Sequence, residues 1–186
     1  MIKLAFLVLS ALFIFVDDDI NLKKVKVTDA ITVSLPETYL PMSQQDIASR
    51  HISYRKPLAI YTNQDRTVDF SVNTAVSNWP ASDLALMKGF YKASIGSLFG
   101  KVDFLNDEIK EFDGQEFAIL EFISATEDEE GAIQNNPIRK YTYVQYAIFD
   151  GVTFVFTFSG PARQKDKLQP LAHKIMETIK IKKPRK

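Results

Sequence analysis

The sequence has no cysteine, which excludes several classes of chemistry at once. Without a thiol there is no cysteine nucleophile, no zinc–thiolate site, no disulfide and no lipid-modified cysteine of the bacterial lipoprotein type. Histidine is scarce too, because only His51 and His173 occur in 186 residues. Neither histidine belongs to an E-x-x-H or H-x-x-x-H pattern, so the sequence predicts no metal ion and no other cofactor.

An excess of charge is also lacking, because 23 basic residues balance 23 acidic ones. Proteins that bind nucleic acid gain most of their affinity by neutralising phosphates, so this balance argues against a nucleic-acid partner. The sequence contains neither a glycine-rich phosphate loop nor a G-x-S-x-G nucleophile elbow. What it has is apolar: 46% of the residues are hydrophobic and 12% aromatic, enough for the core of one domain.

Long apolar runs are missing except at the N-terminus. Lys3 precedes the uncharged residues 4–16, and Asp17 begins an acidic run. The run is shorter than the roughly 20 residues of a bilayer span, so residues 1–16 are predicted to be a signal peptide. A small-x-small cleavage site is missing, so a short uncleaved anchor and a buried N-terminal segment remain alternatives. We expect an exported protein of the periplasm or cell envelope.

Two Asp-Gly pairs predict β-hairpins in the second half of the chain. Asp113-Gly114 separates predicted strands at 102–112 and 115–125, and Asp150-Gly151 separates predicted strands at 138–149 and 152–159. A type I′ turn needs positive φ at both central residues, which Asp-Gly supplies. In the last strand Phe154, Phe156 and Phe158 alternate with smaller residues, which predicts that the three rings lie in the core.

The remaining elements follow from hydrophobic periodicity and from residues that cap helices. Ser43 and Ser82 are each placed to cap a helix, and Pro170 is expected within the first turn of a final helix, where its missing N–H costs least. The predicted strands are residues 25–28, 31–35, 58–61 and 67–78, and the predicted helices are 44–51, 83–99 and one beginning within 166–169. Meanders joined by tight turns predict an α+β fold, a mainly antiparallel sheet flanked by helices.

Four stretches together resemble the PsbP-like superfamily, including the DcrB-like exported bacterial proteins. They are Val33-Ser-Leu-Pro36, the helix after Trp79-Pro80-Ala81-Ser82, the hairpin Ile109–Phe122 and the C-terminal third from Tyr141. The resemblance covers most of residues 24–181, which we predict to be a single domain, with a basic tail at 182–186. It implies an α/β/α sandwich, no shared catalytic residues, and a role in binding partners. Some related domains act as chaperones for hydrophobic segments of secreted effectors.

The candidate binding residues are Arg139, Tyr141 and Tyr143, at the start of a predicted strand. Tyrosine and arginine are favoured at protein interfaces, although these tyrosines are equally typical of an ordinary sheet. Tyr146 is predicted to lie on the opposite face of that strand, and His173 to point into solvent. The basic tail and the N-terminal segment are candidates for weak membrane association, while the acidic runs 17–19 and 127–130 fit either a cation or a solvated surface.

Three functions remain as hypotheses. The first is a non-enzymatic exported binding or accessory protein of the cell envelope, whose partner is another protein. The second is a chaperone for hydrophobic segments of a secreted partner, which requires an exposed apolar groove. The third is a hydrolase, which requires a pocket with converging ionisable groups.

Overall fold

A computed structural model describes residues 21–50, 56–76, 79–126 and 138–182. The predicted signal peptide, His51, the acidic runs 17–19 and 127–130, and residues 183–186 of the basic tail lie outside these ranges. In chain order the described elements are β1 (Leu22–Lys26), β2 (Ile31–Pro36), β3 (Leu40–Pro41), α1 (Gln44–Arg50), β4 (Ala59–Thr62), β5 (Asp69–Thr74), α2 (Leu84–Leu98), β6 (Lys101–Phe112), β7 (Gln115–Thr126), β8 (Ile138–Phe149), β9 (Val152–Pro161), α3 (Lys165–Met176) and β10 (Lys180–Ile181).

The strands form two antiparallel sheets. The large sheet has the order β3-β4-β5-β9-β8-β7-β6, and the small sheet has the order β1-β2-β10. Both Asp-Gly hairpins are confirmed, with φ of 51° and 77° at Asp113 and Gly114, and 48° and 75° at Asp150 and Gly151. The α+β class predicted from the sequence is therefore confirmed.

The large sheet is covered on both faces, as its apolar strands require. On one face, here called the α3 face, the core joins helix α3 and strand β2 to strands β5, β7, β8 and β9, and Phe156 and Phe158 are fully buried in it. On the other, the α2 face, Leu84, Met87 and Ile95 of α2 pack on β7 and β8. Phe154 is only partly buried and packs against the edge of the α3-face core, so the prediction that these rings belong to the core is confirmed for Phe156 and Phe158 and not for Phe154.

One of the two predicted helix caps is confirmed, the other is wrong, and Pro170 lies deeper in its helix than predicted. The Ser43 hydroxyl accepts a hydrogen bond from the Asp46 N–H at 3.2 Å, so it caps α1 as predicted. Ser82 instead bonds the Asp83 carboxylate from within a 3₁₀ turn, Ala81–Asp83, that precedes α2. Helix α3 begins at Lys165 after a 3₁₀ turn, Ala162–Gln164, which places Pro170 in the second helical turn and not in the first.

Candidate functional site

A cleft of about 560 Å³ opens at one end of the large sheet, where β7 ends, β8 begins and β9 ends. We call it the basic cleft; it is lined by Thr67, Ile123, residues 138–140 and residues 160–163. Its volume lies within the roughly 300–1,000 Å³ range of ligand pockets in proteins. The antiparallel register explains how it forms, because Lys140 of β8 lies opposite Pro161 of β9, directly before the turn into α3.

Gly160 determines how closely α3 approaches this end of the sheet. A Cβ atom on Gly160 would lie 2.7 Å from Cδ1 of Leu168 and 3.1 Å from Cγ2 of Val68. Because Gly160 has no side chain, Leu168 of α3 can pack closely against the sheet. The 3₁₀ turn that carries Arg163 follows Gly160 directly, and both Gly160 and Arg163 line the basic cleft.

Three cationic side chains line the basic cleft: Arg139, Lys140 and Arg163. Arg139 is 54% exposed and lies 3.7 Å from the carboxylate of Asp103, which is itself half exposed. An exposed pair at this distance is worth about 0–1 kcal/mol, so it leaves the guanidinium available. Lys140 and Arg163 form no ion pair with any carboxylate in the described ranges. Beside these charges, Ile138 is 68% exposed.

A buried polar cluster lies next to the cleft, beneath α3. Glu121 of β7 is only 1% exposed, and its Oε1 accepts hydrogen bonds from Tyr141 at 2.8 Å and from Gln169 at 2.7 Å. Nε2 of His173 lies 3.2 Å from Oε2 of the same carboxylate. A buried carboxyl group is stable only when its oxygens are hydrogen-bonded, and this arrangement, the Glu121 cluster, meets that condition.

The structure places the three predicted site residues at different depths. Arg139 lies at the cleft, whereas Tyr141 and Tyr143 are buried on the α3 face, and Tyr141 is a member of the Glu121 cluster. Burial raises the pKa of the Tyr141 phenol above its ordinary value, and the hydrogen bond to Glu121 raises it further. Tyr143 packs edge-on against the His173 ring, with 5.2 Å between ring centres. A binding role for these three residues stays a prediction.

Tyr146 confirms the predicted opposite face, because it stacks on Tyr91 of α2 with 4.5 Å between ring centres. The prediction that His173 points into solvent is wrong. Its side chain is 42% exposed, but one ring nitrogen contacts Glu121. The signal that could have revealed the Glu121 cluster is Glu121 itself, which stands on the same strand face as Phe117, Ile119 and Ile123, all apolar.

A metal site or a hydrolase requires ionisable side chains that converge. The described ranges contain no group of three or more potential metal ligands. The one histidine–carboxylate contact, between His173 and Glu121, lies beneath α3, and no serine in the described ranges hydrogen-bonds that histidine. His51 and the acidic runs, the other metal candidates, lie outside the described residues. The hydrolase hypothesis stays a prediction.

No protein-family model matches the sequence, and no curated protein matches it. Solved structures do. Cyanobacterial PsbP (CyanoP) from Synechocystis sp. PCC 6803 is 13% identical, with a TM-score of 0.60 over 88% of this chain and 94% of that chain. The chain has the PsbP-like fold. The PsbP-like fold predicted from four stretches of the sequence is therefore confirmed.

Two other proteins share the PsbP-like fold of this chain. The Ran-binding protein Mog1p of Saccharomyces cerevisiae is 12% identical, with a TM-score of 0.56 over 87% of this chain and 96% of that chain. LpqN of Mycobacterium tuberculosis, involved in cell envelope biogenesis, is 12% identical, with a TM-score of 0.54 over 87% of this chain and 90% of that chain. Identities this low establish the PsbP-like fold alone.

Proposed function

We propose that this protein is a non-enzymatic accessory protein that binds another protein at the basic cleft. The observation that carries the proposal is the exposure of Ile138 beside Arg139, Lys140 and Arg163 in one concave site. Interfaces between proteins combine an apolar centre with a polar rim, and arginine is enriched in them. The proposal extends the sequence-based prediction of binding at Arg139 to neighbouring residues that the fold brings to it.

Tyr141 and Tyr143 support the cleft from below in this proposal and do not touch the partner. Tyr141 follows Arg139 by two residues on the same face of β8, so its hydrogen bond to Glu121 orients the strand segment that carries Arg139. The buried phenol keeps its proton because burial and Glu121 raise its pKa, and it therefore remains a donor to that carboxylate.

The PsbP-like fold of a Ran-binding protein and of an envelope-biogenesis protein is compatible with a binding role and with the cell envelope. We further propose that this protein is exported by its N-terminal segment and acts in the envelope. No helix within the described ranges is long and apolar enough to cross a membrane. Export is tested by fractionating cells that express the full chain and by sequencing the N-terminus of the recovered protein. Recovery in the cytosol with Met1 intact would contradict it.

Site-specific photocrosslinking tests binding at the cleft. A photoreactive phenylalanine analogue replaces Ile138 in the full chain, and a matched variant carries it at Val152, which is 37% exposed in the hairpin at the opposite end of β8. In envelope extract, irradiation should give a discrete adduct from position 138 and not from position 152. Equal adducts from both positions, or none from position 138, would refute the proposed site.

The chaperone alternative has one observation in its favour. On α2, Leu86 is 65% exposed and Phe90 is 53% exposed, and the ring of Trp79 lies 5.7 Å from that of Phe90. Leu86 and Phe90 are four residues apart, so they form one apolar strip on the outer side of the helix. If this protein is a chaperone, an apolar helical peptide should bind, and a Leu86→Lys/Phe90→Lys variant should lose the binding. A Lys140→Glu/Arg163→Glu variant should retain it.

A further inference from the structure

We infer that the segment bound in the basic cleft is acidic, with an apolar side chain between its carboxylates. This inference rests on the proposed function, because it identifies the chemistry of the partner that the cleft receives. The partner is recognised by two features of the cleft together: three cations spread around it, and an exposed isoleucine.

The charge of the cleft contrasts with the neutrality of the chain. The sequence has 23 basic and 23 acidic residues, yet the described lining of the cleft contains three cations and no carboxylate. Asp103, which pairs with Arg139 at 3.7 Å, lies outside that lining. Acidic groups on a partner would therefore meet positive charge that the described residues barely compensate.

The three cations project from different parts of the cleft, which favours several spaced carboxylates over one compact anion. Arg139 and Lys140 are neighbours in β8, so their side chains leave opposite faces of the strand. Arg163 comes from the 3₁₀ turn before α3. A single phosphate has three or four oxygens in one small group, whereas an extended peptide carries successive carboxylates several ångströms apart.

The apolar part of the cleft favours a peptide over a membrane surface. Ile123 and Pro161 line it together with Ile138. A flat anionic bilayer attracts basic residues that protrude from a protein, whereas Arg139, Lys140 and Arg163 line a recess. A peptide side chain that enters the recess would cover Ile138 and remove its apolar surface from water, which stabilises the complex.

Fluorescence anisotropy with the full chain tests this inference. The probe is a short labelled peptide in which glutamates flank a leucine, and the matched probe replaces every glutamate with glutamine. The variant Lys140→Glu/Arg163→Glu removes the positive charge, and Lys23→Glu/Lys24→Glu on β1 makes the same change in net charge outside the cleft. All four substituted lysines and arginines are exposed, and matching thermal unfolding curves confirm that each variant is folded.

We expect the acidic peptide to bind at least about tenfold more tightly than the glutamine peptide, and the affinity to fall as salt rises. The cleft variant should weaken binding by roughly tenfold or more, while the β1 variant should leave it unchanged. Equal binding of the two peptides, or equal losses in the two variants, would overturn the inference. So would displacement of the peptide by inorganic phosphate, or binding to phosphatidylglycerol vesicles without binding to the peptide.

The two proposals can fail separately. If a photocrosslink forms at position 138 but acidic peptides bind no better than neutral ones, the acidic partner is wrong and the binding site stands. If no crosslink forms at position 138 and neither peptide binds, the proposed function falls together with the inference.

Discussion

At the scale of single residues, two buried polar side chains on the α3 face contrast sharply. Glu121 has partners for both of its oxygens. Gln145 of β8 is 0% exposed, and neither its oxygen nor its nitrogen has a hydrogen-bond partner in the described ranges. Its strand neighbours across the sheet are Ile119 and Phe156, both apolar. A buried amide without partners destabilises the folded state, so Gln145 is a local weakness of this core.

Replacing Gln145 with methionine should therefore stabilise the protein. Methionine has nearly the same length and shape without the polar amide, so the expected gain is about 1–3 kcal/mol in the free energy of unfolding. Denaturant unfolding followed by circular dichroism measures it. The same change at Gln169, which donates to Glu121 at 2.7 Å, should lower stability. If Gln145→Met lowers the unfolding midpoint as Gln169→Met should, this account of Gln145 is wrong.

Removing a donor from the Glu121 cluster should have the opposite effect. Tyr141→Phe keeps the ring but deletes the hydroxyl that donates to Glu121 at 2.8 Å, leaving that oxygen with fewer partners. Hydrogen bonds to charged groups contribute about 1.5–3 kcal/mol, which is the expected loss in unfolding free energy. The control is Tyr146→Phe on the opposite face, which keeps the stack on Tyr91 and should cost clearly less. Equal losses in the two variants would show that the cluster contributes nothing specific.

At the scale of elements, glycine has opposite consequences at two positions. Gly160→Ala should destabilise the protein by about 1–3 kcal/mol, because the new Cβ would overlap Leu168 and crowd Val68. Gly89→Ala in α2 should instead stabilise it by roughly 0.5–1 kcal/mol, because its Cβ meets nothing within 4 Å and alanine favours helix. Thermal unfolding of both variants checks the two signs. A neutral Gly160→Ala would mean that α3 can shift without cost.

The elements that the sequence predicted correctly are those determined by neighbouring residues. Asp-Gly turns and the Ser43 cap depend on residues at most three apart, so their geometry can be inferred from local chemistry. The start of α3 could not be inferred from local chemistry, because the contact between Gly160 and Leu168 determines how the chain enters the helix. Packing of that kind overrides the preference of Pro170 for a first turn.

The candidate site was predictable only in part, because its residues are far apart in the sequence. Tyr141, Gln169 and His173 lie 20, 48 and 52 residues from Glu121. Arg139 could be proposed from the sequence because tyrosine and arginine cluster locally, but Arg163 joins it only through the register of β8 and β9. Periodicity indicates which face a side chain occupies, whereas sheet order decides which side chains meet across it.

At the scale of the whole molecule, tyrosines are buried in both layers of the sandwich. Tyr143 lies on the α3 face and Tyr146 on the α2 face, and Tyr39 packs against the edge of the α3-face core. In each of them burial is the main cause of a raised pKa. Asp107, by contrast, has its pKa lowered by hydrogen bonds from Lys88 and Lys92, which join α2 to β6 at the surface. Because the folded state raises the pKa of the buried tyrosines, the free energy of unfolding should depend on pH in the alkaline range.

The protein should lose stability as pH rises above the ordinary tyrosine pKa of 10.0. Above that pH the unfolded chain releases phenolic protons that the folded chain retains, so the unfolded state binds fewer protons and the free energy of unfolding falls. Each such tyrosine contributes a slope of about 1.4 kcal/mol per pH unit until its folded-state pKa is reached. Denaturant unfolding at a series of pH values measures this slope. Tyr146→Phe should make the slope shallower by about 1.4 kcal/mol per pH unit, the contribution of one tyrosine. An unchanged slope in that variant would show that Tyr146 titrates alike in both states.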